Sequence, residues 1–312
     1  MTVTLSQRQE ACARHAVRTV AYFAANGWAP TAVDVWRWMD SPAEVFTLGE
    51  VVEAMEALKV SGRLVMNDGR FCFSGSERLI ERDHRAFRDA RTKMKRARRV
   101  ARWVSWVPGV RGTAIANTLA WEHTRPEGDI DFFVIARTGT LWFVRLCTIV
   151  PLILLRARPG IRRHHSIDFT FFVADTHLDL STLQSEPNDP YLAAWIVSLV
   201  WLVNDGVVAT FNKANPWAFE RFPNAAPLTV AWYDRINARP WKMWRMARWG
   251  NAMARSLSMR RFPAAIRSTM NTSTAVVVND DVLKFHVTDR RREIFETWVN
   301  LCKQHGGDIV TP

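Results

Sequence analysis

Between residues 5 and 26 apolar positions recur at helical spacing, Ala13, Val17, Val20 and Phe23 among them, and Gly27 follows as a stop. This predicts a first helix. Thr31 stands at an N-cap position ahead of AVDVWRWM. Thr47 precedes LGEVVEAMEALKVSG with Glu50 three residues on, a capping box closed by Gly62. RLVMNDGRFCF then reads as two short strands turning at Asn67, Asp68 and Gly69, where the Asp-Gly pair suits a tight hairpin. Three helices and a hairpin predict a winged helix over residues 1–76.

Residues 77–106 continue as a long helix with Ile80, Phe87, Ala90, Met94, Ala97 and Val104 on one stripe. Its other faces are basic: Arg82, Arg85, Arg88, Arg91, Lys93, Lys95, Arg96, Arg98, Arg99 and Arg102. Such a run is either a solvated face or a surface for an acidic partner. The helix expected at 47–61, where a winged helix would read DNA, instead carries Glu50, Glu53 and Glu56 against Lys59. That surface repels phosphate and favours a structural or docking role.

After Pro108 the pattern becomes strand, polar turn, short helix, loop, strand. Residues 110–116 form the first strand, Asn117 and Thr118 the turn, 119–123 the helix, 126–128 the loop and 129–136 the second strand. Alternation puts Asp129 and Asp131 on one face while Ile130 and Phe132 enter the core. Two like charges this close ask for a cation, and carboxylate pairs at this separation suit magnesium in the company of phosphates. The backbone amides and the Thr118 hydroxyl of the preceding turn suit a polyphosphate. Residues 166–173, SIDFTFFV, form a further strand whose one acid is Asp168; Arg162 and Arg163 just before it could pair with that acid. Asp175 and Asp179, in a turn, are weaker candidates.

Composition narrows the company this site keeps. Forty-two Lys and Arg against thirty Asp and Glu give a net charge of +12, which favours nucleic acid, nucleotide phosphates or an acidic membrane surface. Cys12, Cys72, Cys147 and Cys302 are too scattered for a zinc site or a disulfide framework and suit a reducing compartment. The N-terminus lacks the apolar run of a secretory signal, and residues 141–155, the most apolar stretch, are too short to span a bilayer and contain Arg145 and Pro151. The expectation is a cytoplasmic protein without a transmembrane segment.

The turn and the acids resemble the DNA polymerase β superfamily of nucleotidyltransferases, whose signature is Gly-Ser, about ten residues, then Asp-x-Asp. Asp129 and Asp131 match the acids, Thr118 stands where the family has serine, and Asn117 replaces the family glycine. Asn tolerates left-handed backbone better than most residues. A rival register through Gly112 and Thr113 keeps the glycine but places the turn inside the strand. The resemblance extends to uncharacterised bacterial proteins joining a winged helix to this core, in RTGTLWFVR (137–145), FNKANPW (211–217) and the FH of 285–286.

The resemblance implies an α+β fold: the winged helix, then a basic helix and a mixed-sheet nucleotidyltransferase core over 77–185, then a mainly helical domain over 186–312. It implies an enzyme that moves an NMP group from an NTP such as ATP to an unidentified acceptor, which could be nucleic acid, protein or small molecule. Asp129, Asp131 and Asp168 would be catalytic and would bind two magnesium ions, with manganese as a substitute. Asn117, Thr118, Arg137, Arg145 and Lys213 would bind the nucleotide, and Arg162 and Arg163 are further phosphate candidates. The rival is a non-catalytic module for nucleic acid or membrane on a degenerate core.

In the last third, residues 191–203 read as an apolar helix and 231–261 as a helix mixing Trp232, Trp241, Trp244 and Trp249 with Arg239, Lys242, Arg245, Arg248 and Arg255. The mixture suits a lid packed on the core or a helix lying on an acidic membrane. An extended stretch over 275–286 and a final helix capped by Thr288 complete the chain.

Overall fold

The computed structural model describes residues 6–40, 45–161, 164–185, 189–225, 236–237 and 244–307. Local signals account for its first part. Helix α1 (Gln7–Ala25) starts at the Ser6 cap, α2 (Ala32–Arg37) at Thr31, and α3 (Leu48–Val60) at the Thr47/Glu50 capping box. Strands β1 (Leu64–Asn67) and β2 (Arg70–Phe73) pair antiparallel around Asp68 and Gly69, both left-handed as the tight turn requires.

The long helix α4 (Arg78–Val104) follows, then β3 (Val110–Ile115), the one-turn α5 (Asn117–Ala120), β4 (Ile130–Ala136), α6 (Leu141–Leu154) and β5 (Ile167–Ala174). Helices α7 (Pro190–Ser198), α8 (Val207–Ala214) and α9 (Pro216–Arg221) flank β6 (Val200–Asn204) as the chain returns. The chain ends through β7 (Ile236–Asn237), α10 (Trp244–Arg261), α11 (Ala264–Thr269), β8 (Val276–Val278), β9 (Val282–Phe285) and α12 (Arg291–His305).

Among the described residues, seven strands form one mixed sheet in the order β7-β6-β3-β4-β5-β9-β8. β3 is antiparallel to β4 and β6, and β9 to β5. β4 and β5 run parallel, joined by the crossover through α6. The chain is therefore an α+β protein. Alternation along β4 sorts the core: Ile130, Phe132, Val134 and Ala136 face a layer with α4, α6 and α10, while Phe133 and Ile135 face α7, α8 and α9.

Two sequence expectations need correction. Residues 200–203 are not a continuation of the preceding helix; α7 stops at Ser198 and the chain becomes β6, paired with β3. A continuous apolar run fits a buried strand as well as a buried helix, and the β-branched Val200 and Val203 favour the strand. Thr288 does not cap the last helix, which starts at Arg291 with Asp289 accepting from the Arg291 amide. The segment after residue 186 is thus rich in helix but also supplies β6, β7, β8 and β9 to the sheet. Of the expected helix over 231–261, the described part is a helix from Trp244; Trp232, Arg239, Trp241 and Lys242 lie outside the described residues.

The three N-terminal helices are fastened to the rest of the chain. Trp298 and Cys302 of α12 complete their apolar core, and the Trp298 indole donates to the Arg18 carbonyl. A buried ion triad crosses the same junction: Asp40 accepts from Arg18 and from Arg221 of α9. Trp38 and Trp28 lie against Trp121, just past α5.

Candidate functional site

Asp131 and Asp168 are Cα partners in the parallel pairing of β4 with β5. In-register residues of neighbouring strands share a face, about 4.8 Å apart along the hydrogen-bonding direction. Alternation with Ile130, Phe132, Ile167 and Phe169, which enter the other layer, puts both acids on the face covered by α7. Asp129 stands just ahead of β4 and accepts from the Ser166 hydroxyl, while the Ile130 amide donates to the Ser166 carbonyl. The three acids expected to act together are therefore neighbours at one end of two strands. Among the described residues, however, no three acidic, histidine or cysteine side chains are arranged to enclose a metal ion.

Their environment makes the charges costly. Burial pushes the Asp131 carboxyl up to about 7, with Asp168 and Asp129 adding repulsion and an Asn117 hydrogen bond and Lys93 opposing it. Burial likewise raises Asp168 to about 6; the Arg158 charge offsets part of the rise and Asp129 adds to it. Arg158 takes the place that the sequence suggested for Arg162 or Arg163, which lie outside the described residues.

The turn before α5 has the geometry expected of it. Asn117 sits at φ +54°, where a Cβ is ordinarily disfavoured. Its side-chain oxygen accepts from the Trp195 indole at 3.0 Å, and it also hydrogen-bonds Asp131. Thr118 is exposed beside it. The rival register is a strand: Gly112 pairs with Ile135 and a side chain there would meet Val207 and Trp201, while Thr113 is fully buried.

Two cavities meet at Asn117, Tyr191 and Trp195. The larger, about 360 Å³, lies between the end of α1 (Tyr22, Trp28), the turn (Thr118, Trp121), the loop carrying Arg125, and α7. The smaller, about 200 Å³, is lined by Lys284, His286, Asp289 and Arg291 as well. Asp129, Asp131 and Asp168 are not part of these walls. Asn117 links them to the cavities, since it lines both and bonds Asp131.

Burial dominates the smaller cavity. It lowers Lys284 to about 8 and His286 to about 4, with the neighbouring cations adding to the shift. The Lys284 ammonium donates to the Thr274 carbonyl at 2.7 Å, and His286 Nδ1 has no partner among the described residues. Arg291 binds Asp189, Asp289, the Thr274 hydroxyl and the Leu183 carbonyl. The sequence marked the FH pair at 285–286 without assigning it chemistry. Lys284 and His286 both occupy the acids' face, because Leu283 and Phe285 alternate into the other layer.

The remaining expected residues disperse. Arg137 follows β4 at its far end, about 20 Å from Asp131 at strand rise, with its guanidinium over Trp244. Arg145 lies in the opposite layer, stacked on Phe262 and Phe285 and bonded to Ser258; burial lowers it to about 10. Lys213 is exposed on α8 and lines neither cavity. Asp175 is held by Arg111 and Thr138, and Asp179 accepts from the Ser181 amide. Asn215 is fully buried and ties the 178–180 loop to α8.

Lys93, which the sequence placed on the basic face of α4, is 0% exposed. It pairs with Asp89 and donates to the Arg125 carbonyl, and Thr124 also donates to Asp89. This knot fixes the loop that delivers Asp129. Phe87 is exposed and Ala86 takes its place in the core. Nothing in the sequence alone separates Lys93 from its solvated neighbours; only the fit of the loop over it does. The chain matches no protein-family model, no curated protein and no solved structure.

Proposed function

We propose that the chain is a magnesium-dependent nucleotidyltransferase that moves a nucleoside monophosphate from an NTP to an acceptor hydroxyl or phosphate. The observation that carries this reading is the in-register placement of Asp131 and Asp168 on one face, beside Asp129 and next to the left-handed turn at Asn117. The donor set is carboxylate oxygen throughout, which fits a hard divalent cation, and rotation of the three side chains would bring them onto it. Asp129 and Asp131 would hold the metal, with Asp168 completing the site. When bound, magnesium supplies charge neutralisation at the phosphates.

The chain's own groups do the rest. Thr118 and the amides of its turn face the larger cavity and hold phosphate oxygens; Arg125 on the opposite wall adds a cation. Trp28 and Trp121 offer aromatic faces for a base. Asn117, anchored by Trp195, fixes the orientation of Asp131. Asp168 takes the acceptor's proton, which its raised pKa suits near neutrality. The acceptor oxygen bonds the α-phosphorus, the bond from that phosphorus to the bridging oxygen breaks, and pyrophosphate leaves. The N-terminal helices act as a wall of the cavity, through Tyr22 and Trp28, and the acidic surface of α3 leaves them no role in holding DNA.

The test is transfer of label from each α-labelled NTP with magnesium, alongside nucleotide binding followed by thermal shift, in wild type and in Asp131→Asn. Label transfer or magnesium-dependent binding that the variant loses supports the reading. The failure of the acids to enclose an ion favours a second reading, a core that binds without turnover. That reading expects nucleotide binding indifferent to magnesium and no transfer with any NTP.

A further inference from the structure

Helix α10 does not bury its large apolar side chains as a lid would. Its buried positions are the small Ala247, Ala254 and Ser258, packed toward α6, while Trp249 is 87% exposed, Met253 71% and Met246 62%. Met246, Trp249, Met253 and the half-buried Leu257 follow one another at i, i+3, i+7 and i+11, so they form one stripe on the outer side of the helix. The adjoining stripe holds Arg245, Arg248 and Arg255, the last paired with Asp280, and Arg260 and Arg261 close the last turn; α10 contains no acid.

Leaving this much apolar surface in water is costly at about 25 cal/mol per Å² unless something covers it. Charge decides what covers it. A second copy would set arginine against arginine, and a nucleic acid would stack a base on the tryptophan but leave the two methionines uncovered. A bilayer with anionic headgroups satisfies both stripes at once: apolar side chains enter the headgroup–acyl boundary and the arginines meet phosphates. Among the described residues no helix is long and apolar enough to cross a membrane, so the contact is with one leaflet's surface.

We propose that the outer surface of α10 docks the protein on an anionic lipid surface. The inference is independent of nucleotidyl transfer, because these residues lie in the layer opposite the acids. The test is co-sedimentation with vesicles of equal phosphatidylglycerol and phosphatidylcholine, and with phosphatidylcholine alone. The full chain is expected to bind the anionic vesicles, with binding that weakens as salt rises, and to leave the neutral ones. Trp249→Ser with Met253→Ser should lower binding about tenfold or more, and Arg245→Gln with Arg260→Gln should remove most of its salt dependence, with thermal midpoints unchanged because the sites are exposed. No binding to anionic vesicles, or binding that survives both variants, overturns the proposal. So does a lipid-free dimer in sedimentation equilibrium that Trp249→Ser dissolves, which would assign the stripe to a second copy.

Discussion

Asp131 of β4 and Asp168 of β5 are direct neighbours across a parallel strand pair, and the Asp168 charge adds to burial in raising the cost of ionising Asp131. Both bind protons more tightly in the folded chain than in the unfolded one. Between about pH 4 and 7 the folded state therefore holds more protons, and stability falls as pH rises through that window. In metal-free protein the thermal midpoint should drop between about pH 5 and pH 8, and Asp131→Asn should flatten the drop and stabilise the neutral-pH protein by about 1 kcal/mol. Magnesium should act oppositely, raising the midpoint more at the higher pH because it competes with protons. A midpoint insensitive to pH in wild type, or a metal effect larger in acid, would count against the shared charge.

Lys93 supplies a second prediction. Removing its ammonium leaves Asp89 and the Arg125 carbonyl without their partner at a position closed to water. Lys93→Met should cost about 3 kcal/mol in urea unfolding, whereas Lys95→Met, on the exposed side of the same helix, should stay within about 0.5 kcal/mol. Equal small losses at both positions would place Lys93 in solvent.

The comparison of these two lysines shows where the sequence was legible. Capping at Thr31 and at Thr47 with Glu50 involves residues three apart, so the chain announces it locally, and alternation in 129–136 assigns each side chain to a face. Asn117 was readable for the same reason, since a left-handed turn depends on its own residue. Lys93, Lys284 and His286 take their roles from segments far away in sequence: Lys93 from a loop 32 positions on, Lys284 and His286 from β9 joining the sheet beside β5. No local pattern marks a lysine for burial. The strand at 200–204 escaped for a related reason, because its partner β3 lies about ninety residues earlier and its apolar run fitted a helix equally well.

Asn117 serves backbone and side chain together, and substitution can separate the two. Asn117→Ala should cost about 2 kcal/mol, combining left-handed strain with loss of the bond to Trp195. Asn117→Gly relieves the strain and should recover about 1 kcal/mol of that in chemical denaturation, while leaving Asp131 without its amide partner. If the glycine variant were the less stable of the two, the turn would not be strained.

Arg291 gathers Asp189, nearly closed to water, and the more exposed Asp289. Arg291→Met should destabilise by about 3 kcal/mol, since the buried Asp189 carboxylate loses its counter-ion. Acid should partly rescue the variant, because protonation removes the unpaired charges; circular dichroism melts at several pH values would register this. A variant that melts like wild type would mean the acids find water instead.

The seam between α1 and α12 has a consequence for synthesis. The indole of Trp298 bonds a carbonyl 280 residues upstream, and with Cys302 it fills the interior of the first three helices. Those helices are made some 280 residues before Trp298, so their interior stays open to water until α12 has been made. Late closure of this kind raises contact order and slows folding, and it leaves these helices dependent on chaperones in the interval.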